Sequence, residues 1–480
     1  MFHLPPFIAT LVYAIGICGL FWLARDRNSR FSPALIPPFI WLFVMSSRSI
    51  TEWVSILLTG SPPTGVNQLE MYAEGTPLDR AVMIVLMLVA IAVLLHRGKL
   101  FPLLQTNLPM LAFFFFAGVS VIWSDFPDIT IRRWFRAVGV LLMALVVLSE
   151  RDRDAAMKRL FAWAGFILIP VSMLWIKYYP GLGRKYTAAT ISNWVTQLTG
   201  VAAQKNGLGM ICLVFGTTFL WYLLSAYRDR ENPRRTRLLV AYGAALGIVV
   251  WLFVLANSVT SHSCFLLAVC VLIATRTRTF IRNRALVHVL MFVLVAVPFA
   301  VLFLGVGSSV ISALGRSETL TGRTEIWPKA IALVGNPLVG TGFESFWLGN
   351  RLLIMQEGKQ FALNEAHNGF VEIYLNLGWI GLVLLAVLLV TGYRNVIACY
   401  RRDPDAGAFR LALLLSVVVS GFTEAPFRSI GIGWFSFLLI TMSGVPRSAV
   451  APVLTEDRSE PTEVTSAAVA SNFRSNELLR

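Results

Sequence analysis

His367 and Asn368 stand side by side in NEAHNGFVEIYLNLGWIGLVLLAVLLV, residues 364–390, which begins polar and ends as an apolar run. A helix meant only to span a membrane would start with a bland residue or an interfacial aromatic. Imidazole titrates near neutrality and can take a proton from a hydroxyl group, so His367 reads as part of a reaction centre. The plainer reading is that the pair caps the helix opening at Gly369, a role to which asparagine is well suited.

Cations gather around this position along the chain. WSDFPDITIRRWFRAVG carries Arg132, Arg133 and Arg136, and IKYYPGLGRKYTAATISNWVTQLTGVAAQKNGLG carries Arg184, Lys185 and Lys205. The connection 305–367 includes Arg316, Arg323, Lys329 and Arg351. Guanidinium forks match phosphate oxygens, so these clusters imply an anionic ligand. Contact with lipid head groups is the bland alternative for any one of them.

The elements that must position these residues follow from composition. The chain has 480 residues, 56% hydrophobic and 14% charged, with mean hydropathy +0.69. Soluble domains keep about a quarter of their residues charged, so a polar shell is impossible here. Apolar runs cover Leu4–Ala24, Leu78–Leu95, Leu160–Ile176, Gly207–Ala226, Leu238–Ala256, Leu286–Leu304 and Gly369–Thr391. Weaker ones cover Ala34–Leu58, Leu108–Trp123, Arg136–Leu148, His262–Thr275, Phe409–Phe422 and Ile430–Ser443. In lipid each must be helical, giving an all-α polytopic membrane protein with about 12–13 spans. Leu4–Ala24 lacks a basic start and a small-residue cleavage site, so it is expected to be retained.

Short arginine-rich loops (ARDRNSR, SERDRDAAMKR, YRDRENPRRTR, TRTRTFIRNR and YRRDPDAG) orient the chain with these loops in the cytoplasm. The cation clusters named above then fall outside, where topology alone predicts few. Residues 1–443 form the membrane domain, and 444–480 a cytoplasmic tail expected to be disordered. The net charge of +15 reflects the loop bias, and no soluble domain exists to bind nucleic acid. None of the five cysteines has metal-ligand spacing, and no phosphate-binding or dinucleotide glycine motif is present. No cofactor or metal is expected.

The 305–367 loop has its own pattern. Ile326, Trp327, Ala330, Ile331 and Val334 recur at helical spacing after Thr321 or Thr324 as cap, with Pro328 in the first turns. GNPLVGTGF then ends that helix in a glycine turn. The pattern predicts a short amphipathic helix with Arg323 near its amino end, where the helix dipole opposes a cation. A bound anion shared by helix and arginine would resolve the conflict.

GRTEIWPKAIALVGNPLVGTGFESFW followed by NEAHNGFVEIYLNLGWIGLVLL resembles the signature half of the O-antigen ligase and exopolysaccharide polymerase superfamily. GVAAQKNGLG resembles the K-N-x-L-G element of its exopolysaccharide-production branch, and ANSVTSHSC the S-x-T-S segment after it. The likeness runs in order over roughly Asp125–Leu389. It implies a metal-independent glycosyltransferase of the bacterial inner membrane, working at the periplasmic face. The donor would be an undecaprenyl-diphosphate-linked glycan, and the acceptor another glycan or lipid A-core. Membrane lipids and a polysaccharide export complex would be its other partners.

By the same motifs, Arg323 would hold the diphosphate and His367 would be the base or orient the acceptor. Asn368, Lys205 and Asn206 would position substrate; Arg316 and Arg133, from the outer cation clusters rather than the motifs, are further candidate anion ligands. Thr199 stands where the family often has an arginine, and Arg184 or Lys185 would substitute.

Other polar residues offer less. Arg48 and Glu52, four apart in an apolar stretch, are expected to form an internal ion pair. His3, His96 and His288 form no constellation, and His262 beside Ser261 and Ser263 lacks a carboxylate for a hydrolase triad. A flippase for lipid-linked oligosaccharide is the rival function. Alternating access should leave a matching element in each half of the chain, and the early half has no counterpart to the histidine loop. A scaffold of an export complex would need neither His367 nor Arg323.

Overall fold

The computed structural model describes residues 4–26, 32–63, 75–190, 193–304, 323–357 and 364–444. Within its helices and strands, the side chains of residues 187–190, 193–195 and 323–325 are not described. Among the described residues, seven helices are long and apolar enough to cross a membrane: Pro6–Ala24, Pro77–His96, Arg153–Tyr178, Lys205–Arg228, Arg235–Ala256, Ala285–Phe303 and Gly369–Arg402. They coincide with the seven clearest runs in the sequence. Pro127–Leu148, Val259–Ala274, Pro404–Ser420 and Ile432–Thr441 are further apolar helices. The protein is an all-α polytopic membrane protein.

Burial sorts the helices into layers. The spans Arg153–Tyr178 and Lys205–Arg228 are largely enclosed by protein, and Pro404–Ser420 and Ile432–Thr441 are buried along most of their length. Pro6–Ala24 and Ala285–Phe303 keep most of their apolar surface outward, as lipid-facing helices must.

One expected single span, Ala34–Leu58, is broken: Pro33–Met45 and Ile50–Thr59 meet at 76°. The expected run Leu108–Trp123 holds, and a short helix before it, Leu100–Thr106, meets it at 93°. At the break within Ala34–Leu58, Ser49 and Glu52 form a reciprocal capping box, which starts a new helix rather than continuing the old one. Arg48 and Glu52 do approach, at 3.9 Å. They sit at this break rather than within a span, and Arg48 also donates to Leu182 O.

A second departure lies between Gly183 and Gly200. Arg184–Thr190 and Asn193–Leu198 form an antiparallel hairpin in which Arg184 pairs with Leu198. Both strands are rich in Thr, Tyr, Trp and Val, which favour extended backbone. Open strand edges cannot lie in hydrocarbon, so the hairpin marks a water-facing end of the bundle.

Ion pairs mark the opposite end. Asp26–Arg234 at 2.7 Å joins two arginine-rich loops, and Glu150 and Asp154 of a third pair with Arg97 at 2.9 Å and with Arg410 at 2.6 Å. Arg276 pairs with Asp405 there too. The loops that the sequence assigns to one face are thus tied together in space. Residues 305–322 and 358–363 of the long connection, and the tail beyond Gly444, lie outside the described residues.

Candidate active site

The helix Gly369–Arg402 contains the kink on which the site is built. Gly378 has φ +61° and ψ −159°, so the helix breaks after Leu377 and resumes towards Arg402. The backbone groups released are taken up by the GNPLVGTGF turn. Trp379 N donates to Pro337 O at 2.9 Å and Ile380 N to Leu338 O at 3.1 Å. Thr341 N and Gly342 N donate in turn to Leu375 O and Asn376 O. A Cβ on Gly340 would lie 2.5 Å from the Asn376 carbonyl carbon, so only glycine permits this contact. The turn therefore lies backbone to backbone on the kinked helix.

Side chains lock the same region. Glu372, buried in the first turn of the helix, accepts from Trp347 Nε1 at 2.9 Å and from Ala366 N. Asn376 Oδ1 accepts from Phe346 N at 3.1 Å. The expected amphipathic helix forms over Arg323–Ala332, with Arg323 its first residue. Ile326 and Ala330 bury against Phe346, Trp347, Ala366 and Leu375. Trp327 Nε1 donates to Ala366 O at 2.9 Å, which ties this helix to the residue preceding His367.

Asn368 is the N-cap of its helix. Its Oδ1 accepts from Phe370 N and Val371 N, while Nδ2 donates to Phe422 O at 3.3 Å. Capping is thus done by Asn368, and His367 is left one residue outside the helix. His367 has φ +50° and Glu344 has φ +54°, two of three non-glycine residues with left-handed backbone among those described. Strained backbone of this kind persists where surrounding structure enforces it, and it gathers at functional sites.

His367 Nδ1 faces two carboxylates. Glu365 Oε1 lies at 2.9 Å and Glu424 Oε2 at 3.6 Å. Burial alone would lower the proton affinity of this histidine. The two carboxylates outweigh it and push the pKa up to about 9. Glu424 comes from the turn between Pro404–Ser420 and Ile432–Thr441, and it accepts from Asn206 Nδ2 at 3.0 Å.

The cluster continues on the other side. Arg428 NH1 lies 3.7 Å from Glu365 Oε2, and its NH2 lies 3.3 Å from Glu344 Oε2. Glu344 also accepts from Ser429 N and Ser429 Oγ, and Arg133 NH1 donates to its backbone carbonyl. Burial would raise the Glu344 carboxyl, but Arg428 and Arg133 hold it below the usual carboxylate range. A continuous chain of contacts thus runs Arg133, Glu344, Arg428, Glu365, His367, Glu424, Asn206.

Three sequence-predicted residues, His367, Asn206 and Arg133, meet in this chain, and Asn368 buttresses it. Lys205 opens its helix beside Asn206. Arg323 begins the helix docked on Ala366. Arg184 is in the hairpin, where its Nε donates to Ile176 O at 3.0 Å. Its strand partner Leu198 adjoins Thr199, whose N–H donates to Gly183 O. Arg316 lies outside the described residues. The sequence reading missed Glu344, Glu365, Glu424 and Arg428. TEAPFRS, a charged break between two apolar runs, was the available signal for the last two.

The ligand atoms of Glu365, His367 and Glu424 all lie within 4.8 Å of one another, near enough to share a cation. Arg428 and the imidazolium already supply positive charge to these carboxylates. This geometry is one that can hold a proton on the imidazole.

Fold and site together define a multi-pass membrane protein with a histidine–carboxylate centre and arginines at one end of its helices. Residues 244–386 match the family model described as O-antigen ligase. The chain is also 25% identical over 326 residues to the exopolysaccharide production protein ExoQ of Rhizobium meliloti (strain 1021), covering 65% of this chain and 71% of that protein. The resemblance drawn from the motifs thus extends to a family model and to a relative in the exopolysaccharide branch.

Proposed function

We propose that the protein is an inner-membrane glycan transferase of the ligase or polymerase type, acting in exopolysaccharide assembly. Its donor is a glycan on undecaprenyl diphosphate, presented at the periplasmic face. The similarity to the exopolysaccharide production protein favours another lipid-linked glycan over lipid A-core as acceptor. The observation that carries the reading is His367 Nδ1 held between Glu365 and Glu424.

In this reading the far ring nitrogen, Nε2, takes the proton of the acceptor hydroxyl. The new bond forms at the anomeric carbon, and the carbon–oxygen bond to the diphosphate breaks with its electron pair on the leaving group. Glu365 and Glu424 stabilise the imidazolium produced, which is the physical content of the raised pKa. Arg323, with Arg316 earlier in the same connection of the sequence, receives the diphosphate charge, with Arg133 acting through Glu344. Lys205, Asn206 and Arg184 border the substrate, and Asn368 holds the helix start. The reaction runs without a metal because guanidinium groups neutralise the leaving group.

Purified protein in nanodiscs, given a synthetic diphosphate-linked glycan, tests this. Product formed in the presence of a chelator supports metal-independent transfer. Product lost with chelator and restored by a divalent ion moves the Glu365–His367–Glu424 cluster to a metal role. Flipping without product makes the protein a transporter.

A further inference from the structure

Arg428 is held unlike the other arginines of the site. Its three contacts, at 3.3 Å to Glu344 Oε2, 3.4 Å to Asn364 O and 3.7 Å to Glu365 Oε2, are all longer than a charge-assisted hydrogen bond of about 2.7–2.9 Å. Its side chain is 35% exposed, whereas Glu344 and Glu365 are 9% and 15% exposed. Glu344 does not depend on it alone, since Ser429 donates twice to one carboxylate oxygen and Arg133 fixes the backbone. Glu365 serves two cations, Arg428 through Oε2 and His367 through Oε1.

We propose that Arg428 is an anion clamp held in reserve by Glu365. Within the transferase reading, the clamp turns from Glu365 to the incoming diphosphate. Its departure removes one cation from Glu365 and so strengthens the hold of that carboxylate on His367. Asn364, whose carbonyl Arg428 touches, and the glutamate-anchored Ser429 keep the swing short. Arg428 is a diphosphate-binding residue, and Glu365 is a positioning residue that competes with the ligand for it.

Inorganic pyrophosphate, titrated calorimetrically into the full chain in nanodiscs, reads the competition without turnover. Arg428→Gln should weaken binding by about tenfold or more, and Arg428→Lys should recover part, because an ammonium keeps charge but not the fork. Glu365→Gln should have the opposite sign and tighten binding several-fold. In the double variant the gain from Glu365→Gln should vanish, since the residue it competes for is gone.

Unchanged affinity in Arg428→Gln overturns the proposal. So does a Glu365→Gln gain that persists without Arg428, which would be general charge repulsion. A wild-type chain that binds no pyrophosphate sinks the diphosphate reading of the whole site. Wild-type binding that Arg428→Gln leaves intact sinks only the clamp.

Discussion

His367 Nδ1 and Glu424 Oε2 stand 3.6 Å apart although one precedes the Gly369–Arg402 helix and the other follows Pro404–Ser420. The two helices run out to the arginine-rich end and back, so the pair exists only in the folded bundle. Asn206, from a third helix, fixes the same carboxylate oxygen. Three spans therefore converge on one proton.

This convergence gives a pH dependence with a definite sign. The pKa of His367 is raised to about 9, so at neutral pH the imidazole is mostly protonated and cannot accept a proton. Initial transfer rates should climb as pH rises towards about 9. Glu424→Gln removes one stabilising carboxylate, so its rising limb should move to lower pH. A rate that falls as His367 deprotonates would make the imidazolium an anion ligand instead.

Stability should respond the other way. A raised pKa favours the folded state while the group is protonated, and that contribution is fully present below about 6.5. It is lost as pH rises through about 9. The thermal midpoint should therefore drop between pH 6.5 and 9.5, and the drop should shrink in His367→Ala. An identical drop in both proteins would place the titration elsewhere.

Asn368→Ala should destabilise rather than disable chemistry directly. It loses the cap to Phe370 N and Val371 N and the bond to Phe422 O, a cost of about 1–2 kcal/mol. Asn368→Asp keeps the cap acceptor and should recover most of the thermal midpoint. If Asn368→Ala unfolds at the wild-type temperature, the cap contributes nothing.

Trp327→Phe tests the tie between the two halves of the loop. It keeps the ring's packing but removes the Nε1 bond to Ala366 O, one residue from His367. Transfer should fall severalfold with the melting temperature little changed. Loss of both together would mean that Trp327 serves folding alone.

Much of this was legible in the sequence for a physical reason. Spanning helices need long apolar runs, so the seven long apolar helices among the described residues could be read directly. The Arg323 helix showed its apolar period, and the glycines of GNPLVGTGF announced a backbone-close turn. What could not be read was pairing across the bundle. Glu344 directly follows that turn and Glu424 lies between two spans, and nothing local says that both face the His367 segment. The break at Ser49 was hidden because hydropathy averages over a polar cap. The hairpin was hidden because its strands are short and lie between helices.

The most direct test of the central claim is turnover by His367→Asn on a diphosphate-linked glycan, measured beside its thermal midpoint. Asparagine tolerates the left-handed backbone at φ +50°, and Asn368 retains the cap, so the fold should stand. Asparagine cannot take a proton at neutral pH. The account predicts a midpoint near wild type and transfer reduced by about a hundred- to ten-thousand-fold, as for His367→Ala. Wild-type turnover by the asparagine variant would contradict it and leave the acceptor proton to another group.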